Sequence, residues 1–422
     1  MLDIRLLREQ PDLVKARLAT RGAPINDIID ALLTSDAKRR AVETSLQGLQ
    51  AERNRLSREI GALRSRGNDT AALERQVNSG AAKMQELSKQ AADHEAERRS
   101  LELILPNLPL GNVPEGADSS HNPVVRTWGE KPALAKTEDH RAIGGRLNLL
   151  DFDRAARMSG AGFVCYKGKG ARLERALINF LVDLHSEKHG YEEISPPLLV
   201  RAEALMGTSQ LPKFEEQLYG VERDGLYLAP TAEVSLTNLH REELLPYSSL
   251  PLNYVAYTPC FRREAGAAGV GTRGLIRMHQ FDKVELVKIC PPESSEAELE
   301  TLTSDAERVL QILGLHYRVI ELCTGDLSFG AAKTYDIEVW APGQGAYLEV
   351  SSCSDFTDFQ ARRMNLRFKD KDGKNRFCHT LNGSGTALAR LYVALLETGL
   401  RPDGTIALPE ALHGYFGAGS IE

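Results

Sequence analysis

YTPCFRREAGAAGVGTRGLIRMHQFDKVE, residues 257–285, decides the fold of this chain. Two β-rich runs flank AGAAGVGTRG, a loop made mostly of glycine and alanine, as in a strand pair joined by a long connection. Successive side chains on a strand face opposite sides. In the second run Arg277, His279, Phe281, Lys283 and Glu285 therefore share one face, while Ile276, Met278 and Val284 point the other way with Gln280 and Asp282. In the first run Arg262 and Glu264 share a face. Guanidinium, aromatic ring and carboxylate on one side of a sheet make a binding floor rather than a core face. An Arg fork holds two oxygens of a phosphate or carboxylate, a planar Phe stacks on a purine, and Glu accepts from an ammonium group. A hairpin crossed by salt bridges is the plain alternative; the loop and the one-sided alternation weigh against it.

Working outward, three more segments carry chemistry. In the strand-like run at 347–352, YLEVSS, Glu349 offers a hard oxygen to Mg²⁺ and the Ser352 hydroxyl a weaker one. After the run YLAP, the sequence Thr231, Ala232, Glu233 offers a hydroxyl and a carboxylate; alone it fits an ordinary helix N-cap with an acidic first turn. Near the C-terminus, in HTLNGSGTALARLYVALLE, Asn382 to Gly385 are expected to turn and cap a helix, with Arg390 about two turns in.

Towards the N-terminus the character changes. From about 36 to 103 there is no proline, and Val42, Leu46, Leu49, Leu56, Ile60 and Leu63 follow alternating steps of four and three, a heptad seam interrupted by Arg53. Gly67, Asn68, Asp69 and Thr70 break the run with turn and N-cap chemistry. Leu73, Val77, Gly80, Met84, Leu87, Ala91 and Leu101 resume the rhythm. Two helices of about 30 residues then fold back as an antiparallel hairpin about 45 Å long. Arg53, Arg55, Arg58, Arg64, Arg66 and Arg75 gather toward its turn, either as a solvated surface or as a lever touching a phosphate backbone. Residues 104–140, rich in proline and without periodicity, read as a connector.

With 422 residues, 42% apolar, the chain has material for several domains and a sizeable core. Its charge, 52 − 58 = −6, advertises no nucleic-acid partner, so any basic patch must be local. No apolar stretch is long enough to cross a bilayer, and MLDIRLLREQ lacks the look of a secretory leader. Cys165, Cys260, Cys290, Cys323, Cys353 and Cys378 are too scattered for a zinc knuckle or a disulfide framework, so a reducing cytoplasm is expected. Neither a P-loop nor a GxGxxG fingerprint is present.

Taken in order, these segments resemble the class II aminoacyl-tRNA synthetases, and within them the bacterial-type seryl-tRNA synthetases. The likeness runs from MLDIRLLREQPDLV through the helical arm and the PN…VPEG connector to three signatures: GYEEISPP at 190–197, ending on Pro197, then FRRE…RMHQFDKVE, then NGSGTALAR. It implies an α+β fold, a class II antiparallel sheet flanked by helices, with an N-terminal antiparallel helical hairpin. Residues 1–103 would bind tRNA, 104–140 connect, and 141–422 form the catalytic domain. It also implies ATP-dependent activation of L-serine to seryl-adenylate and transfer to tRNA(Ser), with tRNA(Sec) a further candidate, in a cytoplasmic homodimer built on the first signature.

The residue roles are implied in the same way. Arg262 would hold the α-phosphate and Arg390 the γ-phosphate of a bent ATP, as the two catalytic cations. Glu264, Met278 and Phe281 would meet adenine or ribose, with Arg263, Val350 and Ser351 also in the ATP site. Glu349 and Ser352 would hold Mg²⁺. Thr231, Ala232, Glu233, Arg277, Glu285 and Ser384 would surround serine, Arg277 on its carboxylate. Arg263 stands where a small residue is frequent and is expected to face away; Met278 replaces a usual β-branched residue. A synthetase-like regulator would not need every charged position of the signatures, and an amino acid:carrier-protein ligase would lack the arm.

Overall fold

The computed structural model describes residues 1–22, 24–265 and 274–422. Most of the glycine- and alanine-rich loop quoted above, 266–273, lies outside the described residues. The chain divides into two compact units, residues 2–19 with 23–106, and Met1 with 20–22 and 107–422.

In the first unit two short helices, α1 (Ile4–Glu9) and α2 (Pro11–Ala19), precede α3 (Asn26–Arg64) and α4 (Ala71–Ile104). Ser35 Oγ lies 3.1 Å from the carbonyl of His94, and Arg64 pairs with Glu74 at 2.6 Å, so α3 and α4 run antiparallel. Every seam residue named above is buried or half-buried, and Arg53 points to solvent. The first helix is longer than the expected 30 residues: at 39 residues it spans about 58 Å. It begins at Asn26 because Ile29 and Leu32, both fully buried, extend the apolar stripe backwards. At the turn Gly67 takes φ +74°, which its missing Cβ permits, and Asp69 rather than Thr70 caps α4, accepting from Ala71 N at 2.9 Å.

The second unit is built on eight strands: β1 (Val124–Trp128), β2 (Glu192–Glu193), β3 (Leu252–Phe261), β4 (Gln280–Cys290), β5 (Tyr317–Glu321), β6 (Lys333–Ala341), β7 (Ala346–Asp355) and β8 (His379–Ala387). Their spatial order is β1-β5-β6-β7-β8-β4-β3-β2. All neighbours pair antiparallel except β2, a two-residue edge that runs parallel to β3. Packed with this sheet are α5 (Lys169–Asp183), α6 (Ala232–Thr237), α7 (Ser295–Ile312), α8 (Phe359–Met364) and α9 (Leu388–Thr398).

The period-two pattern of β4 sorts its side chains. Val284, Leu286 and Cys290 join the main core with Leu299, Leu302 and Val309 of α7 and Leu391 and Leu395 of α9. Val287 and Ile289, on the other face, join a smaller core with Ala232 and Leu236 of α6 and Met364 of α8. Each such fully buried aliphatic side chain contributes about 1.5–3 kcal/mol. Phe281, Lys283 and Glu285 share that second face nearer the start of the strand, and there they line a cavity.

Two expectations are corrected here. Asn382 to Gly385 do not turn: 379–387 is strand β8, and α9 begins at Leu388, so Arg390 sits in its first turn rather than two turns in. Glycine serves close approach, since a Cβ on Gly383 would lie 2.8 Å from Cys353 Sγ and one on Gly385 2.7 Å from His185 Nε2. Likewise β4 starts only at Gln280, so Arg277 and His279 are not part of its alternation.

Candidate active site

A cavity of about 730 Å³ opens over β4, β7 and β8, walled by Arg262, Glu264 and residues 275–278 between β3 and β4 and by the start of α9. Arg262, Glu264, Arg277, Met278, Phe281, Glu285, Glu233, Glu349, Val350, Ser352, Ser384 and Arg390 all line it. Thr231, Ala232, Arg263 and Ser351, also named from the sequence, do not line it. Thr231 is the N-cap of α6, its hydroxyl accepting from Glu233 N at 3.2 Å, and Ala232 is fully buried beside it. Arg263 is exposed, and Ser351 is buried with its Oγ 3.4 Å from Cys353 Sγ. His279, placed on the floor by alternation, packs instead at a tilt against Phe163, and its ring nitrogen lies 3.2 Å from the Arg262 carbonyl.

Two β-bulges bring the polar groups round. Opposite Ile337 and Glu338 of β6 stand Ser351 and Glu349 of β7, so Val350 is the extra residue. In regular strand, Glu349 and Ser352, three apart, would face opposite sides; the bulge gives both to the cavity. A second bulge opposes Val284 and Glu285 to Thr386 and Ser384, skipping Gly385. Asn382, Ser384 and Ala387 then line the same space.

Cations and carboxylates meet in pairs within this space. Arg262 donates through Nε to the Pro230 carbonyl at 3.2 Å, with its guanidinium 5.3 Å from the centre of the Phe281 ring. Glu264, at φ +47°, forms an ion pair with Arg277. Arg390 donates to the carbonyls of Ile276 at 3.2 Å and Glu349 at 2.7 Å, with the Glu349 carboxylate 3.7 Å away. Deeper in, Lys283 pairs with Glu285, and Asn382 Nδ2 donates to Glu285 at 2.7 Å. Burial, reinforced by Glu285, pushes the Glu233 carboxyl up to about 7, against the opposing pull of Gln360, Lys283 and Arg262. Beside Glu349 and Ser352 lies the half-buried Asp336, whose carboxyl is raised by desolvation and then by Glu349.

Lys283 and Asn382 were missed as site residues. Alternation had already put Lys283 on the floor face, and only the expected turn hid Asn382. The chamber extends past the sequence-named residues to Thr208, Ser209, Phe214 and Phe329, for which no motif pointed the way.

Residues 1–109 match the family model for the seryl-tRNA synthetase N-terminal domain, and residues 217–399 that for the class II tRNA synthetase core domain of the G, H, P, S and T enzymes. The chain is 57% identical to the serine–tRNA ligase of Akkermansia muciniphila over 100% of this chain and 99% of that relative. The chain belongs to the seryl-tRNA synthetase family. A second member, the serine–tRNA ligase of Syntrophobacter fumaroxidans, is 49% identical over 99% of both chains. The solved seryl-tRNA synthetase of Pyrococcus horikoshii, complexed with ATP, superposes with a TM-score of 0.94 at 38% identity, covering 100% of this chain and 99% of that one. As a seryl-tRNA synthetase the chain is an enzyme, and its helical hairpin and large sheet are those of the class.

Proposed function

We propose that this cavity joins L-serine to ATP, forming seryl-adenylate and releasing pyrophosphate, and then transfers serine to the terminal ribose of tRNA(Ser), with tRNA(Sec) as a second acceptor. The observation that carries the reading is the meeting of three guanidinium groups and two buried carboxylates in one hollow. Arg262, Arg277 and Arg390 stand around its mouth and floor, while Glu233 and Glu285 lie buried at its inner end. A triphosphate suits the first region and a small zwitterion with a hydroxyl suits the second.

No enzyme nucleophile is needed. The serine carboxylate attacks the α-phosphorus in line, so the chain's task is to position and to neutralise charge. Arg262 holds the α-phosphate, Arg390 the γ-phosphate, and Phe281 offers its face to adenine. Arg277 leaves Glu264 to take the serine carboxylate, while Glu233 and Glu285 receive the ammonium and hydroxyl groups. A buried site that pairs with a hydroxyl leaves unpaired groups when alanine enters. Glu349 and Ser352 fit Mg²⁺: both are hard oxygen donors facing the cavity, with the half-buried Asp336 beside them. The ion would draw charge from the phosphates.

The N-terminal unit is read as the tRNA-binding domain, 1–103, the connector as 104–140, and the catalytic domain as 141–422. Of the arm's arginines, Arg55 and Arg64 pair with glutamates, whereas Arg53, Arg58, Arg66 and Arg75 have no carboxylate within 4.0 Å among the described residues. These four suit RNA phosphates, in keeping with recognition by shape. The edge strand β2 lies within the signature GYEEISPP, which supports a homodimer built there. Among the described residues no helix is long and apolar enough to cross a membrane, and the reading places the enzyme in the cytoplasm.

Pyrophosphate exchange into ATP, run with each amino acid in turn, tests the proposal. Serine alone is expected to drive exchange, with alanine and threonine at least about 100-fold slower. Silence with serine in folded protein would overturn it.

A further inference from the structure

Behind the wall of the cavity lies a chain of hydrogen bonds with a fixed direction. Gln360 in the first turn of α8 is buried, at 1% exposure, and does not line the cavity. Thr380 of β8 is fully buried and does not line it either. The Thr380 hydroxyl donates to Gln360 Oε1 at 2.7 Å, and Gln360 Nε2 donates to Glu233 Oε1 at 2.8 Å.

An amide has an acceptor end and a donor end that cannot be exchanged without turning the group over. Turned over, Gln360 would offer an NH₂ to a hydroxyl and a carbonyl to a carboxylate, leaving Glu233 facing a lone pair in a dry interior. The Glu233 carboxylate thus sets which way the amide points, and Thr380, whose hydroxyl donates to the amide oxygen, holds it in place against Glu233. One oxygen of Glu233 is committed to Gln360, and only the other remains for the cavity.

We propose that Gln360, held by Thr380, is a positioning residue that orients Glu233 and thereby sets the affinity of the site for serine. The inference rests on the serine reading above. It adds that recognition of the amino acid depends on a residue that touches neither substrate. The charged groups facing Glu233 are Glu285 and Lys283 of β4 and Arg262 beyond β3; Gln360 is its neutral partner from α8. Losing the amide removes a hydrogen bond to a carboxylate and exposes Glu233 more fully to its like-charged neighbour.

The test is steady-state exchange on the full chain with Gln360→Met, which keeps length and volume, and Thr380→Val, which removes only the anchor. Gln360→Met is expected to raise the KM for serine about 10- to 100-fold. The KM for ATP should stay within about twofold and kcat at saturating serine within about threefold. Thr380→Val should move the serine KM in the same direction by a smaller factor. Gln360→Glu adds a signature that loose packing would not produce. Its carboxyl bonds to Glu233 only while the pair shares a proton, so its serine KM should approach that of the parent below pH about 6 and worsen as pH rises. Equal rises for serine and ATP, a fall in kcat alone, or a pH-independent defect in Gln360→Glu would overturn the inference. If Gln360→Met does not fold, Thr380→Val and Gln360→Glu carry the same decision. Absence of serine-dependent exchange in the parent protein would instead refute the proposed function, and this inference with it.

Discussion

Glu233 and Glu285 show how burial divides labour between two like groups. Glu285 is fully buried but is matched by Lys283 and by the Asn382 amide. Glu233 has one amide partner among the described residues, and its carboxyl is pushed up from 4.5 to about 7. A carboxyl raised in this way destabilises the folded state once it ionises, because the folded chain binds the proton more tightly than the unfolded one. The free protein should therefore lose stability from this group as pH climbs from about 4.5 to about 7. Serine, whose ammonium group favours the ionised form, should bind more tightly over the top of the same window. Glu233→Gln is predicted to flatten both pH profiles, followed by thermal melts and serine titrations from pH 5 to 8; an unchanged profile would clear Glu233 of that role. Glu285→Ala should weaken serine about 10- to 100-fold while ATP binding changes little, since a charge-assisted hydrogen bond contributes about 1.5–3 kcal/mol. Equal loss of both ligands in separate titrations would refute the assignment.

The bulges in β7 and β8 set the limit of what alternation could foretell. The floor of residues 257–285 was legible because period two is a local property, and Phe281, Lys283 and Glu285 obey it. His279 departed because β4 starts only at Gln280 and no pleat governs it, and Arg277 reaches the cavity from outside the strand. Glu349 and Ser352 reach one space only through the extra residue Val350, which depends on the partner strand β6. Glycines in NGSGTALAR resemble a turn until the ring of His185 and the sulfur of Cys353 are known to press on them. Gly385→Ala should therefore cost about 1–3 kcal/mol, since its Cβ would meet a ring packed in the interior. It should also lower exchange activity by displacing Ser384; thermal unfolding beside the exchange assay would check both, and a neutral variant would mean the bulge is compliant. Gln360 had no legible signal at all, because its role arises from three elements distant in sequence.

At the scale of the molecule, the seam of the hairpin was readable almost residue by residue, since a two-helix coil buries only what its heptads dictate. Its beginning was not, because Asn26 starts the helix without side-chain cap chemistry to announce it. Two units with separate cores should separate functionally. Removing 40–90 and closing the gap with a short glycine-rich turn leaves Ser35 beside His94 and Glu97. That variant should keep serine-dependent exchange within about threefold and lose charging of tRNA(Ser); loss of both steps together would contradict the lever. Replacing Arg53, Arg58, Arg66 and Arg75 by glutamine should raise the KM for tRNA and shallow its salt dependence, because fewer counterions are released.

Crystals grown with a non-hydrolysable sulfamoyl analogue of seryl-adenylate measure the central claim directly. The account predicts adenine against Phe281, the sulfamoyl group at Arg262, and the serine ammonium group within hydrogen-bond distance of Glu233 or Glu285. An analogue bound outside this hollow, or with its amino acid end turned toward Glu349, would contradict it.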